Sequence, residues 1–472
     1  PSQSTWQTYK AKGYSYNDKI GRDGIESSME DWLTQNSSLR KGSRVVERNN
    51  WSKIVREISY TEPSDGNNVK LTLDVNYQTV AERAIASNVA RIRDKQEDLM
   101  VSSKWLEDNR TLIATYDWEH YPLELAEHGV MLVLDMQARV LAMANYPTYD
   151  LNALVAGGDE ARAILSDDRN LMLNYAIGSR ATPGSIFKMV TGFGALDSGV
   201  LKPDEMISDM GYYTAYNSDL STAPKCWISE GYRSQHYYQT IVDGIAHSCN
   251  YFFYEVGRQL GIDRLRDYAQ RFGLGQKTGV ELYEEAGILA GPEYTQAMGS
   301  TWYDGNTLSV AIGQESTQVT PIQLANYIAT LVNGGNHYQA HLLKEVKSSD
   351  YSHVVYQYEP VLTDTIQIEE NDLEAVKKGI EASIRKERED RKRVEETTTS
   401  QLRGDIQKKE SEIASLRREV EEKKSALEAA EKEKRENASR VETFEMKTKN
   451  MEEELNLKKQ QLTEERMKSD SL

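Results

Sequence analysis

RATPGSIFKMVTGFGAL, residues 180–196, is the stretch on which the fold and the chemistry of this chain turn. Pro183 and Gly184 make a turn that opens a helix, with Ile186, Phe187, Val190 and Phe193 available for a core. The pattern predicts helix from Ser185 to Leu196. Ser185 and Lys188 stand three apart, so both project from one helix face. A serine hydroxyl is a poor nucleophile until a neighbouring base takes its proton. A lysine serves as that base only if its pKa falls, and burial and a helix N-terminus both push it down. Ser-x-x-Lys alone is a common accident of composition, so the assignment needs context.

Sixty-three residues after Ser185 stand Ser248, Cys249 and Asn250, ahead of the apolar aromatic run Tyr251 to Tyr254. A second hydroxyl can pass a proton to a leaving group, and an amide can grip a peptide. Around these motifs the first 380 residues read as mixed α and β. Val69, Leu71 and Leu73 alternate as in a strand, and a helical run begins near Tyr77. GVMLVLDMQARVLAMANYP, from Gly129, reads as a hairpin with Asp135 to Arg139 at its turn and Pro147 as its stop. Apolar helices are expected over 185–196, 239–260 and 321–332. Helices that follow an antiparallel hairpin predict an α+β layer fold.

Ser-x-x-Lys followed by Ser-x-Asn is the order found in penicillin-binding proteins and serine β-lactamases. The flanks sharpen the likeness: KIGRDGIESSMEDWL (19–33), NNVKLTLDVNYQTVAERAI (67–85), VLAMANYPTYDLN (140–152), AHSCNYFFYEVG (246–257) and LSVAIGQESTQVTPIQLANYIATLVNGG (308–335). Over residues 10 to 380 the chain resembles class B penicillin-binding proteins, most closely the elongation-type members. The resemblance implies a penicillin-binding transpeptidase (β-lactamase-like) fold: a pedestal over 1–115, a transpeptidase domain over 116–380 and an appended coiled coil over 381–472. It makes Ser185 the acylated nucleophile, Lys188 its base, Ser248 a proton relay and Asn250 a contact to the substrate amide. The Ser185 N–H would be one oxyanion donor. The implied activity is D,D-transpeptidation of peptidoglycan stem peptides, with β-lactam antibiotics as acylating ligands. The implied place is the bacterial cell envelope, outside the cytoplasmic membrane, and no cofactor or metal is implied.

The family also needs a Lys-Ser/Thr-Gly strand beside the nucleophile. Lys277-Thr278-Gly279 occurs in RFGLGQKTGVEL, where Gly273 and Gly275 end a helix, and reads as a turn. The true third motif is expected after LEAVKKGI (373–380), where the chain instead passes into EASIRKERED. The transpeptidase fold is therefore expected to lack its last strands, and a non-catalytic transpeptidase-like scaffold is the alternative reading. His337 and His341 read as surface or structural residues, because a helical zinc motif is absent. His247 adjoins Ser248 but diverges from it on a helix. Cys226 and Cys249 read as one disulfide or two buried thiols, and Cys249 lacks a base at suitable spacing for a nucleophile.

Composition supports the division. Residues 381–472 hold 23 Lys+Arg and 24 Asp+Glu, and every proline lies at or before Pro360. With Ile406 as heptad position a, Ile413, Val420, Leu427, Val441, Leu455 and Leu462 keep an apolar stripe broken at Lys434 and Thr448, while Lys409, Lys423, Asn437 and Lys458 occupy d positions. Residues 402–462 are expected to self-associate. The formal charge of −17 over 472 residues argues against nucleic-acid binding, since phosphate is repelled. No apolar run approaches a membrane span. The chain opens on Pro1, as a fragment or processed product would, so any anchor upstream lies outside it.

Overall fold

The computed structural model describes residues 3–36, 38, 40–115, 124–229, 236–367 and 369–469. Among them the strands are β1 (Ser43–Arg48), β2 (Ile54–Thr61), β3 (Asn68–Leu71), β4 (Gly129–Leu134), β5 (Val140–Tyr146) and β6 (Ile207–Asp209). Further along lie β7 (Tyr237–Gln239), β8 (Asn336–Tyr338), β9 (Leu343–Lys347), β10 (Val354–Gln357) and β11 (Leu362–Thr365). They pair antiparallel as β1–β2, β10–β9–β3, β4–β5, β6–β7 and β8–β11.

The β4–β5 hairpin is the hinge of the architecture because both of its faces are apolar. The Asp135 side chain closes its turn by accepting from the amides of Gln137 and Arg139, and β5 ends at Tyr146. Alternation sends Met131 and Val133 to one face with Ala142 and Ala144, where Ala81, Ile85 and Val89 of the helix Val75–Val101 cover them. That helix starts where Asp74 accepts from the amides of Asn76 and Tyr77. Gly129 lets the two elements approach closely here: a Cβ would stand 2.6 Å from Ile85 Cδ1 and would push that side chain aside. Residues 75–101 thus share a core with 129–146, across the line drawn at 115/116 from sequence.

Val130, Leu132 and Leu134 project to the other face, toward Val140, Ile177 and Ile322. Beyond lies the largest core, built by the helices Lys188–Asp197, Asn250–Leu260, Ile262–Arg271, Asp304–Ala311 and Pro321–Val332. Phe187, Phe193, Phe252, Phe253, Leu265, Leu308 and Tyr327 are buried there. Each such side chain contributes on the order of 1.5–3 kcal/mol on burial, which makes this body a stiff base for the residues at its rim.

Two helices differ from expectation. The segment at Ser185 opens as a 3-10 turn, Gly184–Phe187, before the α-helix begins at Lys188, a common way to tighten a helix start. The continuous helix expected over 239–260 is instead Ile241–Ala246 and Asn250–Leu260, separated at 247–249. Ser248 adopts φ +50°, which no regular helix accommodates.

The chain divides into two compact units, Pro1–Arg385 and Lys386–Leu472. Within the second, one helix continues to Ser469, and every residue from Arg391 to Arg466 is exposed. No helix among the described residues is long and apolar enough to cross a membrane.

Candidate active site

Ser185 lies exposed at the helix opening, and Phe187 and Val190 anchor the turn behind it in the core. The turn is fixed from outside as well. Gly184 N–H donates to the Gly313 carbonyl at 2.8 Å, and the Tyr327 hydroxyl donates to the Ile186 carbonyl. Gly313, at φ +72°, lies so close that a Cβ would meet the Gly184 oxygen at 2.1 Å. Lys188 points inward and is only 2% exposed. It is therefore a core side chain as well as a candidate base, with its ammonium 5.7 Å from the centre of the Phe253 ring.

The break at 247–249 brings the second motif to this lysine. Lys188 Nζ donates to Asn250 Oδ1 at 2.6 Å, to the Ser248 carbonyl at 2.9 Å and to Ser248 Oγ at 3.0 Å. Ser248 Oγ in turn donates to Ser185 Oγ at 2.9 Å. The four residues singled out from sequence thus come together, and the hydrogen-bonded route from Ser185 to Lys188 runs through the Ser248 hydroxyl. Burial pushes the lysine pKa down to about 8 from 10.5. Such an arrangement can carry a proton from one serine through another to a buried amine.

The left-handed Ser248 is held by neighbours that the sequence did not reveal. Trp227 Nε1 donates to the carbonyls of His247 and Ser248, at 3.2 and 3.1 Å. The His247 ring stacks on His236 at 5.3 Å and meets Gln239 Oε1 at 2.7 Å; these contacts fix its orientation.

Beneath the same loop four buried side chains converge: Asp209 at the end of β6, Cys226, His236 before β7, and Cys249. Their candidate ligand atoms lie within 4.8 Å of one another. The two sulfurs are free thiols 3.8 Å apart, of the two states left open by the sequence. The hydrogen bond between them draws the Cys226 thiol down and pushes Cys249 up, burial adding to the latter. Two sulfurs, an imidazole nitrogen and a carboxylate oxygen suit a closed four-coordinate zinc site. These residues could hold such an ion, which would brace Cys249 between Ser248 and Asn250. Sequence reading assigned no metal because the donors come from four separate places with no ligand spacing.

Lys277-Thr278-Gly279 stands elsewhere. Glu284 accepts from the amides of Thr278 and Gly279 and from the Thr278 hydroxyl, and Lys277 lies over the Tyr283 ring. None of these contacts reaches Ser185, Lys188, Ser248 or Asn250. His337 meets the Thr330 hydroxyl and His341 stacks on Tyr358. His341 is buried and His337 half-buried, so neither is a surface residue. An apolar groove of about 790 Å³ runs between β4 and the helix Pro321–Val332, lined by Val130, Leu132, Ile186, Leu324, Ile328 and Val332. Among the described residues β4 pairs with β5 alone.

Residues 129–410 match the penicillin-binding protein transpeptidase domain, and residues 1–71 the penicillin-binding protein dimerisation domain. The chain belongs to the penicillin-binding protein transpeptidase family. The two domains in this order agree with the class B, elongation-type resemblance read from the motifs. Among curated relatives, the peptidoglycan D,D-transpeptidase MrdA of Acinetobacter baumannii is 28% identical over 336 residues, 70% of this chain and 43% of the relative. The Escherichia coli K12 MrdA is 28% identical over 338 residues, 71% of this chain and 46% of the relative. The chain thus spans less than half the length of these relatives. A solved peptidoglycan synthase complex contains a chain 28% identical, with TM-score 0.60, over 80% of this chain and 59% of that one. Pseudomonas aeruginosa PBP2, solved with WCK 5153, is 25% identical with TM-score 0.55, over 78% of this chain and 70% of that one. The α+β fold expected from sequence is the fold of this family.

Proposed function

We propose that this chain is the transpeptidase portion of an elongation-type penicillin-binding protein, acting on peptidoglycan stem peptides and acylated by β-lactams through Ser185. The observation that carries the reading is the hydrogen-bonded series Ser185–Ser248–Lys188, closed by Asn250, on a lysine that burial holds near pH 8. In the reaction, Ser185 Oγ attacks the scissile carbonyl carbon while its proton passes through Ser248 to neutral Lys188. The Ser185 N–H, in the first turn of its helix where amides lack an intrahelical acceptor, stabilises the oxyanion. As the C–N bond breaks, the proton returns through Ser248 to the leaving amine. The acyl-enzyme then passes its acyl group to an amine of a second stem peptide. Asn250 contributes by orienting the ammonium and gripping the substrate amide.

In this reading residues 1–115 form the pedestal, 116–380 the transpeptidase domain without its last strands, and 381–472 a coiled coil that self-associates through 402–462. Its place is the outer side of the cytoplasmic membrane, in wall synthesis that sets cell shape. A second reading, a transpeptidase-like scaffold without turnover, draws support from the placement of Lys277-Thr278-Gly279 at Glu284 and from the groove beside β4. Covalent labelling by a fluorescent penicillin separates the two. Labelling that Ser185→Ala abolishes supports the transpeptidase, and a folded chain that never labels supports the scaffold.

A further inference from the structure

The helix beyond Arg391 is an unpartnered surface whose charges name its occupant. We infer that it pairs with a second copy of this chain as a parallel, in-register two-stranded coiled coil, an orientation that rests on the self-association proposed above. Ile406, Ile413, Leu416, Val420, Leu427, Val441, Phe444, Met451, Leu455 and Leu462 form its stripe, each about half exposed or more on the isolated helix. β-Branched Ile406, Ile413, Val420 and Val441 at a, with Leu402 and Leu416 at d, favour two parallel strands.

Charges beside the stripe fix direction and register. In a parallel pair each g residue meets the e residue five places on in its partner. In register, Glu412 meets Arg417, Glu419 meets Lys424, Arg440 meets Glu445, Lys447 meets Glu452, and Glu454 meets Lys459. Against these stands one like-charged contact, Asp405 with Glu410. A slip of one heptad gives as many like-charged as opposite contacts within 402–462.

The core disfavours the centred antiparallel arrangement. Centred and antiparallel, the seam would set Lys409 against Leu455, Lys423 against Val441, Lys458 against Ile406 and Asn437 against Leu427. Every such layer would bury an apolar residue against a polar one. Parallel and in register, each polar residue meets its own copy, and the apolar layers stay whole. Two of the four seam lysines carry partners on their own helix: Lys409 pairs with Glu412 at 3.0 Å and Lys423 with Glu419 at 2.6 Å. Asn437 against Asn437 is the kind of buried polar layer that specifies register at some cost in stability.

The test uses the full chain. Sedimentation at micromolar concentration is expected to give a dimer. Leu416→Cys and Thr448→Cys, oxidised separately, are each expected to yield a covalent dimer on a non-reducing gel. Cys226 and Cys249 are buried, and any bond between them leaves the monomer band in place. A dimer that cross-links only when the two variants are mixed is antiparallel; it overturns the orientation and leaves self-association standing. A monomer at every concentration overturns self-association itself, and a larger assembly overturns the two-stranded pairing. Arg440→Glu with Lys447→Glu, which leaves the partners of Lys409 and Lys423 untouched, is expected to weaken the dimer by about tenfold or more. Adding Glu445→Lys and Glu452→Lys should restore it, and failure to restore it overturns the proposed charge pairing.

Discussion

Replacing Asn250 by alanine tests how the site sets the protonation of its base. Asn250 Oδ1 is the shortest acceptor of the Lys188 ammonium, at 2.6 Å, and the lysine is too buried for bulk water to replace it freely. A hydrogen bond to a charged group contributes on the order of 1.5–3 kcal/mol. One pKa unit corresponds to about 1.36 kcal/mol. Losing this acceptor removes support for the charged form alone, so the pKa falls, from about 8 to roughly 6–7. Neutral lysine is the active form, so acylation rises with pH and levels off above the pKa. In the parent chain, about one lysine in ten is neutral at pH 7, and acylation should climb about tenfold from pH 6 to pH 7. In Asn250→Ala the midpoint moves to lower pH, while the plateau falls through loss of the substrate contact. The assay is the second-order rate of fluorescent-penicillin labelling between pH 5.5 and 9.5. A midpoint that stays in place or moves upward refutes the idea that Lys188 is the titrating base supported by Asn250.

Lys188→Ala should lower acylation by about 10²–10⁴. It should also cost stability, on the order of 3 kcal/mol in denaturant unfolding, because it opens a cavity and orphans the Ser248 and Asn250 acceptors. Zinc added to metal-stripped protein should raise the melting temperature, and Cys226→Ser should remove most of that increase; an unchanged melting temperature refutes the four-residue site. Adding a family-derived C-terminal segment with its Lys-Thr-Gly strand after Ile380 should raise acylation by about 10²–10³ and displace an apolar dye from the groove beside β4. If Lys277→Ala abolishes fast labelling of the unaltered chain, the turn at Glu284 is not its resting role.

What the sequence disclosed follows from how local each signal is. Ser185 and Lys188 were legible because one helical turn fixes their relation, and the hairpin because two apolar runs, GVMLVL and VLAMANY, flank the turn residues Asp135 to Arg139. Ser248 and Asn250 were legible through their motif, but the break that aims them was hidden. Apolar residues flank 247–250 on both sides, and the interruption shows only in the backbone, in the left-handed Ser248 and the extended Cys249. Asp209 and His236 escaped notice, and Cys226 was read only against Cys249, because tertiary packing alone brings the four together. Lys188 was legible as a base, but not that its side chain is among the largest fully buried ones of the core. The bonds Glu284 makes to Thr278 and Gly279 could not be read from the triplet itself.

Ser185 is the residue proposed to form the acyl-enzyme, and intact-mass and peptide-level mass spectrometry after penicillin treatment test this most directly. The expected result is one adduct per chain, on the peptide containing Ser185, absent in Ser185→Ala and slowed in Lys188→Ala. An adduct on Ser248 or Cys249, or equal labelling of the Ser185→Ala chain, would contradict it.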